Sequence, residues 1–262
     1  MKGETLSNER HSIKDNLSLS GSYGKSGIEE EQMKKQLDLI AESYDKGIDL
    51  GKKGIDSYDN LPSYITNHPN YPLFEQMRTN ETLSDSARKE IVEYLAPEAG
   101  MRFIDLGCCL NLMFAGYKDW TSAYYGVDIS SKTIELLQEY AEKNHLKVGD
   151  LHCCSMHKTP YDTSFFDIGE CVGSLEYFEK DFVQQAVAEF SRIMKSNGRF
   201  VLDIPNIGSP EFEIAKMIEE YLGRKDQFNL SAEEFEYILD AYFTIDKKEI
   251  VGPMIQYFLI VK

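Results

Sequence analysis

The sequence predicts an α/β protein built on one mostly parallel sheet with helices on both faces. Three observations carry that reading. After Ala99, short apolar runs suited to buried strands alternate with segments of helical period. The first run, FIDLG, turns at Gly107, and the second, YYGVDIS, ends on the acid Asp128. The last two runs, KKEIVGP and IQYFLIVK, are joined by a turn at Gly252 and Pro253. That turn is too short for a crossover helix, so the pair is antiparallel.

Taken in order, residues 1–27 are polar, rich in Ser, Gly and Lys, and read as a mobile tail. Residues 28–96 read as a helical, aromatic-rich cover. IEEEQMKKQLDLIAESYDKGIDL puts Met33, Leu37, Ile40, Ala41 and Tyr44 on one helical face. Its early glutamates suit the positive end of a helix. Pro62, Pro69 and Pro72 break the following stretch into turns and short helices. SDSARKEIVEYLAP reads as a helix capped by Ser84 or Asp85 and stopped by Pro97.

Residues 97–262 hold the sheet. MRFIDLG, AYYGVDIS, LKVGDLHCCSM, FFDIGECVG and RFVLDIPN supply strands one to five. SKTIELLQEYAEKN and FVQQAVAEFSRIMKSNG are covering helices, with Ile134, Leu137 and Tyr140 on one side of the first and Phe182, Ala186, Phe190 and Ile193 along the second. SPEFEIAKMIEEYLG and SAEEFEYILDAYF add two helices before the closing strand pair.

Composition narrows the partners. The 262 residues carry 44 acidic against 28 basic side chains, a net charge of −16, so a phosphate backbone is repelled and no nucleic-acid partner is expected. No apolar run reaches about 18 residues, so no membrane span is expected. The five cysteines are odd in number and include two vicinal pairs. With no signal-peptide pattern, this predicts reduced thiols and a cytoplasmic protein. Zinc-type C-x-x-C spacing is absent, and no metal site is expected.

In an open parallel sheet a ligand lies beyond the carboxyl ends of the strands. That geometry selects Asp105 to Asn111, Asp128 to Ser130, Ser155 to His157, Glu170 to Ser174 and Asp203 to Asn206. Asp128, 23 residues after Asp105, can accept hydrogen bonds from the ribose hydroxyls of an adenosine-type ligand, or simply cap the next helix. Gly107 permits a tight turn and close backbone approach. Cys108, after strand one, and Cys171, after strand four, bring thiols toward the same place or pack as small buried hydrophobes.

The set FIDLG, YYGVDIS and EFSRIMKSNGRFVLDIP, in this order, resembles the class I S-adenosylmethionine-dependent methyltransferase family, in its small-molecule, type 11-like form. The resemblance covers roughly residues 97–262. It implies a Rossmann-like, mostly parallel seven-stranded sheet with an antiparallel last strand, and S-adenosylmethionine as cofactor. Asp105 and Gly107 fall on the start of the family's glycine-rich loop, where Cys109 and Asn111 replace later glycines. Asp128 falls on the ribose-binding acid and Ile129 on the apolar residue beside adenine. Ser155 stands where the family often has an acid near the adenine amino group, and Met156 packs next to it. Glu170 to Ser174 occupy the loop that looks toward the sulfonium.

The resemblance further implies an enzyme that methylates O, N or C of a small molecule, working as a monomer or homodimer. Candidate bases are His157, His68, Glu170 and Tyr177, with Asp203 and Asn206 as substrate contacts. Two other readings stand beside it. One is a non-catalytic adenosine-ligand-binding protein on the same fold. The other is an NAD-dependent oxidoreductase, which the sparse glycines disfavour because a pyrophosphate needs close backbone approach.

Overall fold

The computed structural model describes residues 26–79 and 89–262. The expected tail over residues 1–27, apart from the start of the first helix, and the caps at Ser84 and Asp85 lie outside the described residues. The chain divides into two units, Met1–Gln36 and Leu37–Lys262, and every side-chain contact described below belongs to the second.

The first helix is α1, Ser26–Gly51, followed by α2, Ser63–Thr66, α3, Tyr71–Thr79, and α4, Lys89–Leu95. Prolines set these breaks as the sequence suggests: Pro62 is the N-cap of α2 in extended backbone, and Pro72 sits in the first turn of α3. The alternating region then gives β1 (Arg102–Leu106), α5 (Asn111–Phe114), β2 (Ala123–Asp128), α6 (Ser131–Lys143), β3 (Val148–Cys153) and β4 (Phe166–Cys171). It continues with α7 (Lys180–Ile193), β5 (Met194–Pro205), α8 (Pro210–Tyr221), α9 (Ala232–Leu239), β6 (Phe243–Val251) and β7 (Met254–Val261).

The seven strands form one sheet in the order β3-β2-β1-β4-β5-β7-β6. The pairs among β1 to β5 are parallel, and β7 is antiparallel to both β5 and β6. This is the mostly parallel seven-stranded sheet with an antiparallel last strand that the sequence predicts. One boundary differs. The sequence reads MKSNG as the end of α7, whereas β5 already begins at Met194, and the β4–β5 register shifts between Phe166 and Ile168. Asn197 takes up a positive φ there, and a Cβ on Gly198 would lie 2.8 Å from the Lys195 carbonyl. The extra residues are a bulge, which the helical period alone does not reveal.

The core lies on both sheet faces. Phe103, Phe166, Phe200, Tyr257 and Phe258 are all fully buried, each worth about 1.5–3 kcal/mol of apolar transfer. The EFSRIMK motif holds the sheet's helix in place. Arg192 Nε meets Glu189 Oε2 at 2.7 Å, Glu189 Oε1 accepts the Thr159 amide at 2.7 Å, and Lys195 pairs with Asp167. The loop after β3 is thereby stapled to α7. On the opposite flank, α1 docks onto the start of α6: Ser130 Oγ donates to Asp45, and Lys132 Nζ pairs with Asp49 at 2.8 Å.

Candidate active site

The carboxyl ends of β1 to β5 open onto a cavity of about 600 Å³, a size typical of small-ligand sites. Its first half is made by the strand ends. Gly107 and Cys108 both donate their amides to the Val127 carbonyl, at 2.8 and 3.0 Å, which closes the turn after β1 over β2. Gly107 has φ +78, and a Cβ there would come 2.2 Å from Ser174 Oγ, so conformation and space both demand glycine.

Cys109 stands where the resembling family has glycine, yet keeps a positive φ of 39. Its amide donates to Asp128 Oδ2 at 2.9 Å, and the Ser130 amide donates to Asp128 Oδ1 at 2.8 Å. The acid at the end of β2 is therefore fixed by the backbone on both sides. Each of its oxygens keeps a second lone pair for a ligand donor. Half-buried in the cavity wall, Asp128 has its pKa raised to about 6, chiefly by burial.

The second half comes from α1, the α1–α2 connection, α3, α8 and the loop after α8. Ile40, Tyr44, Tyr58, Phe74, Met77 and Phe212 wall it with apolar and aromatic surface. A polar cluster closes its far end. Arg224 Nε pairs with Glu219 Oε2 at 2.6 Å, and the guanidinium lies 4.8 Å over the Tyr44 ring. Tyr44 and Tyr177 share a hydrogen bond of 3.0 Å, and the Tyr177 hydroxyl donates to Glu219 Oε2 at 3.2 Å.

The sequence-predicted site residues divide into two groups. Gly107, Cys109, Asn111, Asp128, Ile129, Ser155, Met156, Val172, Gly173, Ser174, Tyr177 and Asp203 all line the cavity. The others are placed elsewhere, for identifiable reasons.

Glu170 and Asp105 are register partners on β4 and β1, so both point to the same face of the sheet. There Tyr117 donates to Glu170 and Tyr124 donates to Asp105 Oδ2 at 2.8 Å. Neither acid is among the residues that line the cavity: Glu170 lies against the Tyr117 hydroxyl, and Asp105 stands behind Asn111. Asn111 reaches it by a 3.2 Å hydrogen bond from Nδ2. Cys108 is buried with its sulfur against Gly126, and Cys171 is buried with its thiol 3.7 Å from Met156 Sδ. The cysteines that do line the cavity are Cys109 and Cys154.

His157 shares a 2.6 Å hydrogen bond between Nδ1 and Ser155 Oγ and packs on Phe182. Burial lowers its pKa, and it faces α7 instead of the cavity. His68 Nδ1 accepts the Asn70 amide at 3.2 Å, a local turn bond, and Asn206 gives its amide to the Pro253 carbonyl. Tyr177 stays, but as a hydrogen-bond donor: burial and the Glu219 carboxylate push its pKa well up, so it holds its proton. Arg224, Glu219 and Glu176 line the cavity without having been singled out by motif.

Strand order and strand direction define a fold class. Residues 104–202 match the family described as "Methyltransferase domain", and the whole sheet has the class I methyltransferase fold. Among solved structures, geranyl diphosphate C-methyltransferase from Streptomyces coelicolor is similar over 74% of this chain and 85% of its own, at 14% identity and TM-score 0.56. A Pyrococcus horikoshii protein is similar over 78% of this chain and 100% of its own, at 19% identity and TM-score 0.54. The [4+2]-cyclase SpnF is similar at 21% identity and TM-score 0.51, over 64% of this chain and 59% of the cyclase. No curated protein sequence matches the chain significantly.

Proposed function

We propose that the chain is an S-adenosylmethionine-dependent methyltransferase acting on a small molecule. The observation that carries this is Asp128, a carboxylate held by two backbone amides at the rim of a ligand-sized cavity. The residues present fit the cofactor: Asp128, fixed by two backbone amides, lines the cavity with acceptor lone pairs to spare, and this cofactor needs no pyrophosphate cradle. Asp128 would take the ribose hydroxyls, Ile129 and Met156 would pack the adenine, and Ser155 and Asn111 would meet polar edges. The cofactor, when bound, supplies an electrophilic methyl group on a sulfonium.

The protein's own task is orientation in a dry pocket. Ile40, Tyr44, Tyr58, Phe74 and Met77, all from the segment 28–96 read as a cover, line the second half and support a small, enclosed acceptor. The geranyl diphosphate methyltransferase acts on a diphosphate. Here Glu176, Asp203, Glu219 and Asp226 line the cavity beside Arg78, Lys216 and Arg224, and the two arginines are already paired with carboxylates, which disfavours so anionic a substrate. The fold also houses a cyclase, so chemistry has to be read from the site.

Calorimetric titration with S-adenosylmethionine, S-adenosylhomocysteine and NAD tests the proposal. Binding of the first two and not the third supports it. Binding of NAD alone favours the oxidoreductase, and binding of none leaves a protein that merely shares the fold.

A further inference from the structure

We propose that the acceptor is an amine on an apolar body, and that Glu176 is the carboxylate that holds its N–H and takes up its proton. This rests on the reading that a methyl donor fills the first half of the cavity.

The charges around the cavity carry the argument. Arg224 is paired with Glu219, and Arg78 with Asp56 and Asp59, while Lys216 lines the cavity from α8 and bears on Asp226. Asp203 accepts the Gly173 amide at 2.8 Å and Asp226 the Phe228 amide at 3.0 Å. Glu176 differs. Its backbone carbonyl receives the Gln227 and Phe228 amides, but its Oε2 is buried with no hydrogen-bond partner among the described residues. A buried acceptor left without a donor is costly, and a ligand N–H in the cavity would satisfy it.

Position links Glu176 to the donor turn. It lies on the loop after β4 that carries Gly173 and Ser174, the residue packed on Gly107. The groups bearing on it are Asp203 from β5, Glu219 from α8, Asp226 and Arg224 from the loop after α8, Tyr44 from α1 and neighbouring Tyr177. Burial first, and then those carboxylates, push its pKa well up, which favours the protonated form in the empty cavity. An arriving ammonium would favour its ionised form, whereas an anionic head group would be repelled.

The chemistry also separates amine from alcohol. The bound ammonium first passes one proton to Glu176 Oε2, which frees the nitrogen lone pair; that pair forms the N–C bond, the C–S bonding pair goes to sulfur, and the product leaves as the N-methylammonium. A neutral amine carries a nucleophilic lone pair and needs mainly orientation, whereas an alcohol needs its proton withdrawn as it attacks.

The test titrates hexylamine, hexanol and hexanoate into the full chain saturated with S-adenosylhomocysteine. Calorimetry is run near neutral pH in two buffers of different ionisation heat. Hexylamine should bind about tenfold tighter than hexanoate or hexanol, with net proton release. Glu176→Gln should abolish both the preference and the proton signal. Hexanoate or hexanol binding as well as hexylamine, hexylamine failing to bind, or a preference that survives in E176Q would overturn the proposal. Should E176Q not fold, the wild-type preference and proton release decide. If S-adenosylhomocysteine does not bind but the Glu176-dependent amine preference persists, the donor reading fails and the amine site stands.

Discussion

Gly107 on the turn after β1 and Ser174 on the loop after β4 are packed so closely that a methyl group on the glycine would lie 2.2 Å from the serine hydroxyl. Two loops that are 67 residues apart in sequence are thereby set at one fixed separation at the rim of the cavity. Gly107→Ala should destabilise the protein by about 1–3 kcal/mol, through left-handed strain and the clash. It should also weaken donor binding. Ser174→Gly in the same chain should recover part of the stability, since only the conformational cost then remains. Urea unfolding of the single and double variants measures both components.

Asp128→Ala should weaken S-adenosylhomocysteine by about 1–3 kcal/mol, the cost of stranding two hydrogen-bonded hydroxyls. Titration gives the number directly, and an unchanged dissociation constant would remove Asp128 from the site.

Asp128 also gives the site a pH dependence. Its folded pKa is raised to about 6 from an ordinary 3.8, so between those values the folded protein holds the extra proton. Stability contributed by this group is present below about pH 4 and is lost as pH rises through about 6. Donor affinity runs the other way, because the ionised carboxylate accepts from both ribose hydroxyls. Affinity should rise from pH 5 to about 7, and Asp128→Asn should flatten that rise.

Arg224 is 8% exposed and is surrounded by Glu219, Tyr44 and Tyr58. Arg224→Ala should cost about 3 kcal/mol, since it leaves a largely buried carboxylate unpaired. Arg224→Lys should recover little. A single ammonium cannot reach Glu219 and Tyr58 together or lie flat over Tyr44. Thermal melts of the two variants check the order.

The sheet was legible because its strands are nearly continuous apolar runs and its helices have clear faces. Gly107 and Asp128 were legible too, since both lie where strand geometry alone sends the chain to the ligand side. What sequence could not supply was side-chain direction at a strand end. Glu170 was singled out and Glu176 was not, because only the register with Asp105 shows Glu170 turned toward the tyrosine layer. His157 was misplaced for a similar reason: the loop after β3 is pulled toward α7 by the Thr159–Glu189 bond. Arg224 and Glu219 belong to no motif. The faint signal was one arginine in the acidic run EEYLGRKD, which burial makes costly unless it is paired.

The insertion of β7 between β5 and β6 has a consequence for how the chain is made. Met254–Val261 emerge from the ribosome after every other strand of the sheet, yet they occupy an interior row. Until they arrive, β5 and β6 cannot join each other, and the β5 edge stays open to any passing strand. A stalled or shortened translation product would therefore expose an apolar ladder, and such products should be the ones that chaperones and proteases meet.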